Sequence, residues 1–104
     1  MRRFGQVARL KPDKIDEYES LHTTVWPDVL STINACGLRN YSIYRQGEYV
    51  FAYFEYIGPN FEGDMKKMAA DLATQEWWKH TKPCFVGHAI GEYYKDMQEI
   101  FHCE

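Results

Sequence analysis

Residues 38–57, "LRNYSIYRQGEYVFAYFEYI", place two runs of β-branched and aromatic residues on either side of Gln46-Gly47. Such residues fit a pleated surface, and a glycine-containing pair between two such runs marks a hairpin. The two runs are expected to pair antiparallel, and the remaining elements must be arranged around the sheet they start.

Upstream, apolar residues recur at helical spacing from Asp13 to Cys36, at Ile15, Tyr18, Leu21, Val25, Val29, Leu30 and Ile33, with Pro12 in the first turn and Gly37 as the stop. Pro27 has no amide hydrogen and clashes with the carbonyl four residues earlier, which predicts a break or kink near His22 to Trp26. Downstream of Gly58-Pro59, "NFEGDMKKMAADLATQEWWKHT" repeats Phe61, Met65, Met68, Leu72 and Trp77 or Trp78 at helical spacing. A second long helix is expected there, weakened at Gly63 and ended by Lys82-Pro83. "RFGQVARL" at 3–10 reads as a first strand and "MQEIFHC" at 97–103 as a last one; residues 84–96 fit a strand, a lid or part of a partner's site equally well.

The order is then β-α-β-β-α-β, an α+β fold of the ferredoxin-like type with an antiparallel sheet and its helices on one face. A chain of 104 residues, 45% hydrophobic, with no repeat or linker, suits one core and a single domain over 1–104. Strand residues are apolar on both parities, with Tyr41, Ile43, Phe51 and Tyr53 on one and Val50, Phe54 and Tyr56 on the other. The face without helices therefore needs a cover, and a homodimer joined sheet to sheet, a dimeric α/β barrel, provides one.

A net charge of −3 with both signs interspersed gives no basic face for a nucleic acid. No apolar run approaches the ~20 residues of a membrane span, and "MRRFGQVARL" does not read as a signal peptide. Cysteines 36, 84 and 103 are odd in number and contain no C-x-x-C, which points to a reducing, cytoplasmic setting.

Residues four apart on a helix lie one above the other, so Tyr18, His22 and Trp26 would form one stripe. That stripe is either core, with His22 hydrogen-bonded to a carbonyl, or the edge of a cleft with Trp26 as a further lining residue, and spacing leaves both open. Trp77 and Trp78 point about 100° apart on a helix, so one is expected in the core and the other on a pocket wall. Indoles stack on the apolar face of a pyranose, which suggests a sugar. His80, Cys84 and His88 are spaced by four, but Pro83 interrupts any helix through them and no zinc-type motif is present, so no metal is expected.

The chain resembles the L-rhamnose mutarotases. The resemblance rests on "Y-x-x-x-H-x-x-x-W-P" at Tyr18, His22, Trp26 and Pro27, "G-x-x-N-Y-x-I-Y" at Gly37, Asn40, Tyr41, Ile43 and Tyr44, "WW" at Trp77 and Trp78, and "M-Q-E-I-F" at Met97 to Phe101. It implies a dimeric ferredoxin-like domain that interconverts the α and β anomers of a free 6-deoxyhexose without a cofactor. It also implies that His22 transfers the proton and that Tyr18, Tyr41, Trp77 and Trp78 bind the sugar. Between Thr81 and Asp96 the pattern departs: members acting on rhamnose commonly carry a segment of the type "NPDNSP", whereas this chain reads "KPCFVGHAIGEYYKD". Both L-rhamnose and L-fucose are therefore candidate substrates.

Mutarotation takes a proton from the anomeric hydroxyl and gives one to the ring oxygen, and an imidazole, with an ordinary pKa of ~6.5, can do either near neutrality. Two other readings suit an aromatic cleft with one histidine: a cofactor-free oxygenase or isomerase of the dimeric α/β-barrel type, and a non-catalytic module that binds a small metabolite.

Overall fold

Pro27 starts a helix rather than bending one. In the computed structural model of the chain, which describes residues 1–87 and 93–104, the expected first helix is two: α1, Ile15–Leu21, entered through a tight turn at Pro12–Lys14, and α2, Pro27–Ala35. Trp26 is extended, with φ −62° and ψ 135°, because the proline ring crowds the preceding residue out of the helical region. Tyr18, His22 and Trp26 therefore do not share one helical stripe. α2 stops at Gly37, whose φ of +84° lets its amide donate to the carbonyl of Asn34 at 3.1 Å.

The second expected helix is likewise divided, into α3, Phe61–Ala70, and α4, Leu72–Thr81. The divider is Asp71, whose carboxylate accepts from the amide of Thr74 at 2.9 Å and from its hydroxyl at 2.8 Å. An N-cap of this kind satisfies a free amide at the start of α4 while its own backbone stays extended.

Four antiparallel strands make the sheet: β1, Arg2–Arg9; β2, Leu38–Gln46; β3, Tyr49–Tyr56; and β4, Lys95–Met97, in the order β2-β3-β1-β4. The β2–β3 turn is Gly47-Glu48, one residue later than the sequence reading, with Gly47 at φ +60°. β4 pairs with β1 only at Gly5–Val7, so the expected strand over 97–103 is a correction. Past Met97 the tail is held by a side chain, Arg3 Nη2 on Glu99 at 2.9 Å, in place of ladder bonds. Ile100 and Phe101 are left 91% and 79% exposed.

A β-bulge re-aims β2. Arg39 faces Glu55 and Ser42 faces Tyr53, so Asn40 and Tyr41 together oppose Phe54. Asn40 sits at φ +50°, a left-handed backbone that asparagine tolerates better than most residues. The extra residue reverses the alternation: Leu38 before it and Tyr41 and Ile43 after it all meet the same cavity as Phe54. The grouping of Tyr41 and Ile43 with Phe51 and Tyr53 is thereby corrected.

The helices cover one face of the sheet, where Val50, Ala52, Phe54 and Tyr56 alternate as buried residues of β3. Beneath them the core forms two clusters. Ala8, Leu10, Tyr18, Val50, Cys84 and Phe85 make one, and Leu38, Phe54 and Tyr56 make the other with Phe4, Ile33, Phe61, Met65 and Met68. Among the described residues no helix is long and apolar enough to cross a membrane. The three cysteines are free thiols.

Candidate active site

Between the two core clusters lies a cavity of about 410 Å³, lined by residues of both, among them Tyr18 and Phe85 from the first and Leu38 and Phe54 from the second. The volume falls within the ~300–1,000 Å³ usual for small-molecule sites. Tyr18, His22, Tyr41, Trp77 and Trp78 all line it. Trp26 does not: its indole packs edge-on against Trp77 at 5.2 Å and His80 at 5.6 Å, one layer behind the wall. The extended backbone before Pro27 carries it there, which corrects its assignment to the lining.

His22 follows the last residue of α1, where Nδ1 lies 2.8 Å from the carbonyl oxygen of Tyr18. A carbonyl can only accept, so Nδ1 carries the hydrogen and the neutral ring has its lone pair on Nε2. None of the described residues hydrogen-bonds Nε2. The ring is held on both sides, with its centroid 4.3 Å from that of Tyr18 and 5.5 Å from that of Trp77. The break before Pro27 is what frees this position: His22 is a C-cap, with no further helical turn stacked on it.

Tyr18 is buried, and its hydroxyl meets that of Tyr94 at 3.0 Å. Burial pushes its phenol up to about 12, partly opposed by the bond from Tyr94. Burial also raises the phenols of Tyr41 and Tyr94. Tyr41 retains accessible surface although its hydroxyl is desolvated, because that surface faces the cavity. Three neutral phenols thus serve the cavity as hydrogen-bonding groups.

The two tryptophans divide as expected of adjacent helical residues. Trp77 is buried, with 6% of its surface exposed, between His22 and Trp26. Trp78 is half-buried on the wall, with Lys82 Nζ 4.4 Å from its ring centroid. Sequence reasoning missed Tyr93, Tyr94 and Phe85, which line the cavity from the segment without a readable period. It also missed Gln6, whose amide donates to Asp96 at 2.8 Å. The only sequence signal for the tyrosines is their place in the stretch that departs from the family pattern. His88, considered above as a metal ligand, lies outside the described residues.

The raised phenol of Tyr18 has a consequence for stability. Its folded pKa of about 12 exceeds the ordinary ~10, so the folded chain holds that proton more tightly than the unfolded one. Its contribution is complete below about pH 10 and is lost as pH rises through 12, at up to about 1.4 kcal/mol per pH unit. Urea unfolding followed from pH 8 to 11.5 should show a steeper alkaline decline in wild type than in Tyr18→Phe.

A sequence model of the family described as L-rhamnose mutarotase matches residues 3–103. The chain is 34% identical to the L-rhamnose mutarotase of Oceanobacillus iheyensis over an alignment 107 positions long that covers 100% of both proteins. Among solved structures it is similar to the L-rhamnose mutarotase of Formosa agariphila, with TM-score 0.81, 18% identity and 100% of both chains covered. It is also similar to tetracenomycin F2 cyclase of Streptomyces glaucescens, a type-II polyketide cyclase, with TM-score 0.66, 12% identity and the same full coverage. At such identities the two structures speak to the fold alone.

Proposed function

The chain belongs to the L-rhamnose mutarotase family, and we propose that it is a cofactor-independent isomerase that interconverts the α and β anomers of a free 6-deoxyhexose. L-rhamnose is the sugar named for its relatives; L-fucose is a second candidate, because residues 82–96 depart from the rhamnose pattern and bring Phe85, Tyr93 and Tyr94 to the cavity.

The observation that carries this reading is the state of His22. Its Nδ1–H is committed to a backbone carbonyl, its Nε2 is unengaged by the described residues, and it stands on a cavity walled by indole and phenol rings. Nε2 takes the proton of the anomeric hydroxyl as the bond from C1 to the ring oxygen breaks, and the ring oxygen takes a proton from water, to which the imidazolium returns its own. The product is a neutral open-chain aldehyde. C1 turns, and closure reverses both transfers to give either anomer. Tyr18 and Tyr41 hydrogen-bond the sugar, and the open face of Trp78 supports the apolar side of the ring, with the buried Trp77 closing the wall beside it. A flat aromatic substrate, as for an oxygenase of this fold, would leave several of these polar groups unpaired.

Magnetisation-transfer NMR between the C1 signals of free sugars tests the proposal: catalytic amounts of protein should speed exchange for L-rhamnose, L-fucose or both. Sugar that binds without faster exchange would favour the binding-module reading, and no interaction with any sugar would reject both.

The functional unit in this proposal is a homodimer joined through the open sheet face. Val7, Phe51 and Tyr53 are only half-buried there, and the Nε of Arg3 is buried with no partner among the described residues. Light scattering at micromolar concentration should give about twice the 12.3 kDa of one chain. A purely monomeric species would reject the dimer.

A further inference from the structure

Tyr94, just before β4, lines the cavity, and its hydroxyl makes a direct contact there. It lies 3.0 Å from the hydroxyl of Tyr18, and both residues line the cavity beside His22. Packing holds the two rings in place: the buried Phe85 meets Tyr18 at 5.2 Å and Tyr94 at 5.4 Å between centroids, both nearly edge-on. The pair is therefore a built contact rather than a meeting of mobile side chains.

A phenol has one hydrogen to give and can accept at its oxygen. Two phenols joined to each other spend one hydrogen on the bond and keep one. We propose that Tyr94 is a positioning residue of the mutarotase reaction: its hydroxyl donates to the oxygen of Tyr18 and commits the hydrogen of Tyr18 to the sugar. A hydroxyl that accepts a hydrogen bond is itself polarised into a better donor. That matters at a ring oxygen that gains charge as the C1 bond breaks. The desolvated setting keeps both phenols neutral through the working pH range, so the pair acts by donation. Without Tyr94, the Tyr18 hydroxyl would lose its only hydrogen-bond partner among the described residues, and its hydrogen would be free to turn away from the substrate.

This inference rests on the mutarotase reading, and its test separates the two. Anomeric exchange of L-rhamnose and L-fucose is measured for wild type, Tyr94→Phe, Tyr18→Phe and the double variant, with melting temperatures alongside. Tyr94→Phe should lower kcat about tenfold with little change in KM. In the Tyr18→Phe background the same change should have almost no further effect, because Tyr94 acts through a hydroxyl that is already gone. If Tyr94→Phe does not fold, Tyr94→Leu carries the same comparison. Wild-type exchange with an unchanged kcat in Tyr94→Phe, or with losses that multiply in the double variant, would overturn the role of Tyr94 and leave the functional reading intact. A wild-type protein that speeds exchange of neither sugar, nor of any other free hexose, would overturn both.

Discussion

Replacing His22 by alanine is expected to lower the rate of anomeric exchange by about 10² to 10⁴ while leaving a folded protein that still binds sugar, the range usual for loss of one positioned acid or base. The size of the effect follows from the commitment of Nδ1 to the carbonyl of Tyr18. That bond fixes both the tautomer and the plane of the ring, so the lone pair on Nε2 is presented without reorganisation. A histidine kept only for packing would behave in the opposite way. Its loss would reduce the melting temperature, and whatever protein survived folded would exchange the anomers at nearly the wild-type rate. Melting temperature and exchange measured on one sample distinguish the two outcomes. Undiminished exchange in a folded alanine variant would move the proton transfer to another group, with Tyr18 the next to test.

The second large effect divides between the tryptophans. Trp77 fills the space between His22 and Trp26 and is almost wholly buried, so Trp77→Ala should cost about 3 to 5 kcal/mol of stability through lost contacts and the void left behind. Trp78 is half-buried on the cavity wall. Trp78→Ala should leave the unfolding midpoint nearly unchanged and weaken sugar binding by about 1 to 3 kcal/mol, the scale of a lost aromatic stacking surface. Chemical denaturation beside calorimetric titration checks both. Equal losses of stability in the two variants would mean that both indoles are core.

The order of elements along the chain and the hairpin, to within one residue of its turn, are legible from residue type, because runs such as "YVFAYFEY" fit few other structures. What periodicity cannot register is a single residue that resets the phase. Pro27 turns one helix into two, and Asp71 does the same by capping the amide of Thr74. The proline is legible as a break, but the cap looks like any solvated aspartate until the helix after it is known. Asn40 is the sharpest case. Counting by twos from Leu38 sends Tyr41 to the wrong face, and only the bulge brings it into the cavity. The placement of Tyr18, His22, Tyr41, Trp77 and Trp78 around one cavity is thus anticipated by their motifs and not by their spacing. Tyr94 is invisible to both approaches, since its role depends on a contact with Tyr18, 76 residues away in sequence.

The sequence contains three tryptophans, and all three gather at one end of the cavity, Trp77 and Trp78 on its wall and Trp26 against the back of Trp77. All the indole emission of the molecule therefore originates on the cavity wall or one layer behind it. The edge-on contact at 5.2 Å brings Trp26 and Trp77 within range of energy transfer, and the ammonium of Lys82 beside Trp78 supplies a local field able to shift its spectrum. A ligand that displaces water from the Trp78 face should move the emission to shorter wavelength, with no distant indole to dilute the change. The unlabelled protein is in this way its own optical reporter, and the colour of its light registers whether the cavity is filled.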